Sequence, residues 1–404
     1  MLKDNKWINE PVYERDLSLI VHSRHPINAE TPNNSLKDMI TDKKKHYRRT
    51  HDVVPLVDID TYKFSIGFEN EKQNYFNIKD LQKFKYYSLI VTLMCTGNRR
   101  SEYNNLTEHE TIGLTWGNGS ISTAKWGGVK LSDLFTYLGI DIEDSIKKGY
   151  NFVTFCGIDS YKISIPIKKC SYDGDVLLSY NMNDEILPRD HGFPLRVVVP
   201  GYVGARSVKW VSTIEITRKE CDTKEQIGIS YKQLAPNIKS LRGVSKEYIE
   251  NLPPINDVNV ISAITYPEQD DILFINQENI ICGYAFTGGG RCIIRVDISI
   301  DNGENWDQTE IFRADETQTI RSSKAYAWIQ WRYNLKLTDN HNKSITITGS
   351  NGKSTTAKIL YDVLVDQNRD VRLVGNIGNP ILSEKKITKK TFFVIEASSY
   401  QLDY

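Results

Sequence analysis

YYSLIVTLMCTGNRRSE (residues 86–102) is apolar on both faces through its first ten residues and then turns abruptly polar. A run with no polar face is expected of a strand buried in a sheet, since neither side meets water. Cys95 closes that strand, Gly97 follows, and Arg99 and Arg100 stand side by side. A thiolate is a soft ligand for a transition metal. Adjacent guanidiniums lower a thiol's pKa and hold oxyanions through fixed forks of donors. Taken alone, the motif also describes a structural cysteine beside two surface arginines, and that bland reading is the stronger one. Only the surroundings separate the two.

The 404 residues carry 51 Lys+Arg against 51 Asp+Glu, and a net charge of zero excludes holding nucleic acid or an anionic membrane by bulk charge. Hydrophobic residues at 40% and charged residues at 25% are globular values, over a length that suits two or three domains. There is no apolar run of about 18 residues to span a bilayer. The opening MLKDNKWINEPVYER shows no apolar signal core, so the expected compartment is the cytoplasm, with the mitochondrial intermembrane space as the alternative. Cys95, Cys156, Cys170, Cys221, Cys282 and Cys292 show neither CxxC nor short His spacing, which argues against a zinc site or a disulfide framework.

Residues 1–45 are polar and read as an extended arm ending in a solvated basic run, Lys43 to Lys45. Over 46–250, short β-branched runs mix with polar segments of helical type, which predicts an α+β domain. After the linker NLPPINDVN (251–259), the segments ISAITYP, DILFINQ, NIICGYAF, RCIIRVDISID, WDQTEIFR and KAYAWIQWRYNLKL read as short strands of a β-sandwich over 253–340. In RVDISID, Val296, Ile298 and Ile300 point one way and Asp297, Ser299 and Asp301 the other. Residues 341–404 change to strand, Gly-rich turn, helix and strand, an α/β unit too short for an open parallel sheet with helices on both faces.

Together with HSRHPINAETP (22–32), HYRRTHDVVP (46–55), ISTAKWGGVKL (121–131), DVLLSYNMNDEILPRDHGFPLRVVVPGYVGARSVKWV (175–211) and GGGRCIIRVDISIDNGENW (288–306), the first segment closely resembles the sulfite oxidase family of molybdenum enzymes. The likeness is to the haem-free plant-type form, in family order from about residue 8 to about 337. It implies a sulfite-oxidase molybdopterin fold for 46–250, then a shortened immunoglobulin-like dimerisation domain over 253–340, and hence a homodimer. It implies Cys95 as the thiolate ligand to molybdenum, beside the dithiolene of molybdopterin. Tyr47, Arg48, Arg49, Thr50 and His51 would lie along the cofactor, with Arg49 facing the substrate. Arg100, and not Arg99, would be the second substrate arginine, and Trp116 would wall the pocket. Tyr231, in Ser230-Tyr231-Lys232 where the family has Asp-Tyr-Lys, would be the tyrosine near the metal. Asp159, His191, Arg196, Ser207, Val208 and Lys209 would hold the pterin and its phosphate. Trp126 and Trp210 read as ordinary core aromatics.

The reaction implied is oxygen-atom transfer to sulfite, giving sulfate, with oxygen or a cytochrome taking the electrons. The residue types suit it, because a substrate dianion and a pterin phosphate both call for guanidinium forks and other cationic donors. The alternative is a nitrate reductase-type molybdenum domain, which shares Cys-x-Gly-Asn-Arg-Arg; Ser101-Glu102 and STAKWGG favour the sulfite branch. The family's third substrate arginine, in Trp-Asn-Leu-Arg-Gly, has only a faint echo in Tyr333-Asn334-Leu335-Lys336, so a non-catalytic fusion fragment is a further alternative.

Gly349, Asn351, Gly352, Lys353, Ser354 and Thr355, in GSNGKSTT after SITIT, form a turn of the kind whose backbone N–H groups cradle phosphate while a Ser hydroxyl reaches Mg²⁺. With GNIGNP (375–380) and VIEASSYQL (394–402), this segment resembles the ATP-binding domain of the Mur ligases, of the D-glutamate-adding type. That implies phosphate contact for Lys353, Mg²⁺ for Glu396, and ATP/Mg as ligand. The other domains of such a ligase have no counterpart, so a working ligase is not expected, and residues 338–344 read as a junction of two unrelated pieces.

Overall fold

The structure, a computed structural model, describes residues 6–107, 111–235, 238, 240–268, 271–301, 303–314, 324–337, 346–347, 361, 364–367, 369–375 and 391–396. Among them strands dominate, and the longest helix, Arg100–Thr107, has 8 residues. Helices this short depend on packing more than on propensity. The helical-type segments of 46–250 accordingly give single turns such as Ile78–Leu81 and Lys224–Ile227 between strands.

Two five-stranded sheets frame this region. In one, Glu185–Ile186, Leu177–Met182, Ile121–Lys130 and Tyr87–Met94 lie in that order, and Arg196–Val198 also pairs with Leu177–Met182. The other runs Asn74–Phe76, Phe64–Phe68, Val211–Thr217, Phe152–Gly157, Lys162–Pro166, antiparallel except between Val211–Thr217 and Phe64–Phe68. One apolar cluster takes side chains from both sheets, among them Phe64, Phe155, Leu178, Val197 and Ile214. Gly128 lets the first sheet close up, since a Cβ there would run into the Leu178 carbonyl of the adjacent strand.

Tyr87–Met94 is an edge strand, and its second half is buried as its apolar run predicts: Ser88 near its start is exposed while Val91 to Cys95 are buried. Chain from the following domain covers the open edge. Thr92 N–H donates to the Tyr326 carbonyl at 2.9 Å, and Trp328 N–H donates to Thr92 Oγ1 at 2.7 Å. A covered edge can be as apolar as a central strand.

Residues 1–45 also depart from expectation. Ile20–Arg24 and Ile27–Glu30 pair as a hairpin, and Arg48–Arg49 completes a three-stranded sheet. All of Ile27–Glu30 is buried, and its alternation of Ile27 and Ala29 with Asn28 and Glu30 lasts only four residues, too short to mark a strand inside a polar arm. Nor is Lys43 merely solvated, for its ammonium pairs with Glu185 and its carbonyl contacts His191 Nε2 at 2.9 Å.

Ile261–Tyr266, Glu278–Phe286, Ile329–Lys336 and Glu310–Arg313 form an antiparallel sheet in that order, and Asp297–Ile298 with Asp307–Gln308 a two-stranded ribbon. DILFINQ, expected as a strand, is a turn: the Asn279 side chain accepts from Phe274 N–H and donates to the Phe274 carbonyl, both at 2.8 Å. RVDISID gives only Asp297 and Ile298 to a ladder, yet Val296, Ile298 and Ile300 pack against one cluster as their alternation requires. Ser299 is buried as well, its hydroxyl accepting from Gly303 N–H at 2.8 Å inside the turn.

Thr346–Ile347, Thr391–Glu396 and Asp370–Gly375 form a parallel sheet with Thr391–Glu396 in the middle. Glu396 ends that middle strand, while Gly349, Asn351, Gly352, Lys353, Ser354 and Thr355 lie outside the described residues.

Trp328 ties three distant segments together. Its ring stacks on Tyr284 at 5.4 Å, its indole N–H donates to the Met39 carbonyl at 3.0 Å, and it is fully buried. Trp328→Ala is expected to cost about 3–5 kcal/mol of stability, read as a lower urea midpoint at unchanged slope. An unmoved midpoint would show that this contact contributes nothing.

Candidate active site

The ladder between Tyr87–Met94 and Ile121–Lys130 pairs Leu93 with Ser122 and Met94 with Ile121. Cys95 N–H extends it by donating to the Ser120 carbonyl at 2.9 Å, which fixes the thiol at the sheet's end. The chain then turns, with Asn98 N–H donating to the Cys95 carbonyl at 3.0 Å and Arg100 N–H to the Gly97 carbonyl at 3.1 Å. Arg99 sits in the left-handed region at φ 67°. That sends the adjacent arginines apart. Arg99 pairs with Glu102 and donates to the Ser262 carbonyl, each at 2.6 Å. Arg100 faces the site, with Nη1 donating to the Leu114 carbonyl at 2.7 Å.

Glu30 supports the facing loop. Its buried carboxylate accepts from Gly117 N–H and, at 2.9 Å, from Gly119 N–H, and lies 2.5 Å from His22 Nε2. His22 in turn meets the Trp116 ring edge-on at 4.9 Å, so Trp116 is held from behind.

Two cavities meet at Cys95. The narrower is lined by Tyr47, Arg48, Arg49, Thr50, His51, Asp159, His191, Arg196, Ser207, Val208 and Lys209. The wider, of about 1020 Å³, is lined by Arg100 and Trp116. Cys95, Arg49 and Tyr231 border both. All the site residues expected over 46–250 are thus brought together.

Their chemistry differs from expectation in places. Burial pushes the Cys95 thiol up, and the Gly97 backbone, Arg49 and Arg100 pull it down without prevailing. Arg99, committed to Glu102, does not act on it. Arg48 cannot serve a cofactor through its side chain, because all five N–H donors of a guanidinium are spent. Nε donates to Asp190, Nη1 to the Lys44 and His46 carbonyls, and Nη2 to those of Glu14 and Lys43. Val208 offers only its main chain, its side chain belonging to the apolar core. His51 is exposed and stacks on Tyr161 at 4.8 Å.

Inside the narrow cleft the cations have lost their water. Burial brings Arg196 down to about 10, Lys209 to about 7 and His46 to about 3, and takes His191 well below its usual value. Trp126 and Trp210 are more than core filler. Arg196 lies 4.6 Å from the Trp126 ring centre and Lys209 4.2 Å from that of Trp210, so the rings replace part of the lost hydration. Asp159 is held above the usual carboxylate range by burial, against the pull of Lys209.

His46 Nε2 and Arg196 Nε are buried in this cleft with no hydrogen-bond partner. Orphaned buried polar atoms are rare and ask for a ligand. Guanidinium, ammonium and imidazole together suit an anionic, acceptor-rich group such as a pterin phosphate. Among the described residues no group of three His, Cys, Asp or Glu could hold a metal. A metal on Cys95 must therefore bring its other ligands with it, as a dithiolene-bearing pterin does. The residues present fit molybdopterin.

Sequence reasoning missed His46, Tyr161 and Asp190, which line the cleft, and Glu30 behind the wider cavity. His46 and Asp190 stand inside the quoted HYRRTH and RDHG blocks and could have been found there. Glu30 stands inside the quoted HSRHPINAETP block as well, though nothing in its immediate neighbours marks it as a support for the site.

The oxidoreductase molybdopterin binding domain profile matches residues 51–225, the Mo-co oxidoreductase dimerisation domain 253–356, and the Mur ligase middle domain 347–404. Mitochondrial sulfite oxidase of Rattus norvegicus is 38% identical over 335 residues, 81% of this chain and 58% of that protein, so this chain spans under two thirds of it. Sulfite oxidase of Arabidopsis thaliana is 35% identical over 343 residues, 80% of this chain and 84% of that protein. Among solved structures, the sulfane dehydrogenase SoxCD from Paracoccus pantotrophus superposes with a TM-score of 0.64 at 25% identity, covering 80% of this chain and 75% of its own. Because the Arabidopsis protein is matched over most of its own length, the likeness is one of whole folds and not of a shared module, and the chain belongs to the sulfite oxidase family of molybdopterin oxidoreductases.

Proposed function

We propose that this chain oxidises sulfite to sulfate at a Cys95-ligated molybdopterin centre. The observation that carries this reading is the convergence of a buried thiol, Arg49 and Arg100 where the two cavities meet. Tyr47, Arg49, Thr50, His51, Asp159, His191, Arg196, Ser207 and Lys209 would hold the pterin, Arg48 only by bracing its wall. When bound, the cofactor supplies oxygen-atom transfer and takes up two electrons, which then pass to oxygen or a cytochrome.

The chain's own residues prepare the substrate. Arg49 gives Nη1 to Asn28 Oδ1 and the Thr50 carbonyl, both at 3.0 Å, which leaves Nε and Nη2 without a partner among the described residues. Arg100 likewise commits only Nη1. Unspent guanidinium forks beside a buried thiol strip water from a small oxyanion and orient it. Burial pushes the Tyr231 phenol up, so it keeps its proton and donates it as a hydrogen bond. Trp116, braced through Glu30 and His22, walls out water.

We divide the chain into an arm at 1–45, the catalytic domain at 46–250, an immunoglobulin-like homodimerisation domain at 253–340 and a Mur-ligase-like fragment at 341–404 outside the sulfite chemistry. Nucleic acid and membranes are not partners in this reading, and no described helix is long and apolar enough to cross a membrane. The cytoplasm and the mitochondrial intermembrane space are the compartments to compare by fractionation.

The direct test is sulfite-dependent ferricyanide reduction, normalised to bound molybdenum; a molybdenum-loaded protein with no turnover would sink the proposal. Cys95→Ser should lower turnover by more than the roughly 100-fold that loss of an outer-shell partner brings. Arg100→Gln should raise the sulfite KM about 10- to 100-fold, the worth of a charge-assisted hydrogen bond, and an unchanged KM would place the anion elsewhere.

Stability of the cofactor-free chain should also depend on pH through Lys209. Above about 7 the folded lysine has released its proton, while the unfolded one keeps it until near its ordinary value of 10.5. The unfolded state then binds more protons, so stability rises with pH across that window, by about 1 kcal/mol per unit. Urea unfolding at several pH values should show this slope, and Lys209→Met should flatten it.

A further inference from the structure

The wider cavity has an unlike lining: Cys95, Arg49 and Arg100 share it with the aliphatic side chains of Ile112, Leu114, Leu234 and Leu241, and Leu114 stands beside Arg100, whose Nη1 donates to its carbonyl. Cys95 is 8% exposed, whereas Leu234 is 38% and Ile112 72% exposed, so the thiol lies deep and these two aliphatic side chains lie toward solvent. Sulfite is polar on every side, and aliphatic walls give it nothing. Nor does it need such room: the cavity holds about 1020 Å³, at the top of the roughly 300–1000 Å³ that enclose far larger ligands. Apolar side chains rimming a polar recess mark a groove for a ligand that is itself apolar at one end.

We propose that the site also takes organic sulfinates, R–SO₂⁻, with an aryl or alkyl R lying along Leu114, Leu234 and Leu241. This rests on the sulfite reading of the same site. A sulfinate keeps the anionic oxygens that Arg49 and Arg100 would grip, and keeps a lone pair on sulfur to accept oxygen. One oxygen of sulfite is replaced by carbon. That carbon points toward the mouth, because Cys95 and the fully buried Trp116 close the inner end. The balanced step is R–SO₂⁻ + H₂O → R–SO₃⁻ + 2 H⁺ + 2 e⁻. One S–O bond forms, both O–H bonds of water break, sulfur is oxidised by two electrons, and a one-electron acceptor such as ferricyanide takes them in turn.

Binding and turnover test it separately on the purified holoenzyme. By calorimetry, benzenesulfonate, which cannot be oxidised further, should bind about tenfold more tightly than methanesulfonate, because its ring leaves water against the aliphatic wall. Leu234→Asp should bring the two affinities within about twofold, with the half-exposed Leu234→Ala as a milder second variant. With ferricyanide, benzenesulfinate should show a kcat/KM about tenfold above that of methanesulfinate, and oxygen-18 water should place one label in the benzenesulfonate formed. Sulfite turnover without benzenesulfinate turnover, or equal sulfonate affinities, would overturn this inference and leave the sulfite reading standing. Failure of sulfite and both sulfinates in molybdenum-loaded protein would overturn both.

Discussion

The Asp190 carboxylate, 1% exposed, is the constraint on which the site depends. Arg15 grips it with two donors at 2.8 Å and Arg48 adds a third at 2.7 Å. Burial alone would raise its pKa, but the two guanidiniums overcome that and hold it below the usual carboxylate range. A buried charge is tolerated only when paired and fully hydrogen-bonded, and removing one member strands the rest. Arg48 passes the constraint on by capping the Lys43, Lys44, His46 and Glu14 carbonyls, which pins the approach to Tyr47–His51. Lys209 Nζ donates to the Asp190 carbonyl at 3.0 Å, so the pair also sets where the cleft's ammonium lies.

Two further carboxylates extend the frame. Glu30 holds the Trp116 loop from the hairpin side, and Asp175 holds the domain boundary. Asp175 pairs with Lys130 at 2.6 Å and Lys324 at 3.0 Å, and accepts from the Tyr326 hydroxyl at 2.9 Å. That clamp keeps residues 324–328 against the edge of Tyr87–Met94, the strand that ends at Cys95. The thiol's position thus follows from contacts made by the N-terminal hairpin and the following domain as well as by its own sheet.

This explains what the sequence could and could not disclose. The cluster of Cys95, Arg49, Arg100, Tyr231 and Lys209 was legible because each residue type is demanded by chemistry and all but Tyr231, which rests on Tyr-Lys alone, stand in long matching blocks. The different fates of Arg99 and Arg100 follow from one left-handed backbone angle, which a single chain of letters does not display. Ile27–Glu30 was illegible as a strand because its alternation lasts only four residues inside a polar arm, and DILFINQ misled because an Asn279 side chain outweighs strand propensity there. Arg48 and Arg49 look alike in sequence. Only the carboxylate at 190 decides that one braces the wall while the other keeps donors to spare.

The two cavities treat charge differently, and that difference suits their proposed occupants. In the cleft, Arg196 is 4% exposed and desolvated enough that its pKa falls to about 10, and beside it His46 has an orphaned nitrogen. Groups held dry without partners are unfavourable until an anion arrives, so an occupant recovers that energy and is retained, stabilising the fold by mass action. Arg49 and Arg100 are half-buried and keep contact with solvent. Water can replace a departing anion there at little cost, so the same kind of donor releases what it binds. A resident anion in the cleft and a passing one in the wider cavity are what these unequal degrees of desolvation favour.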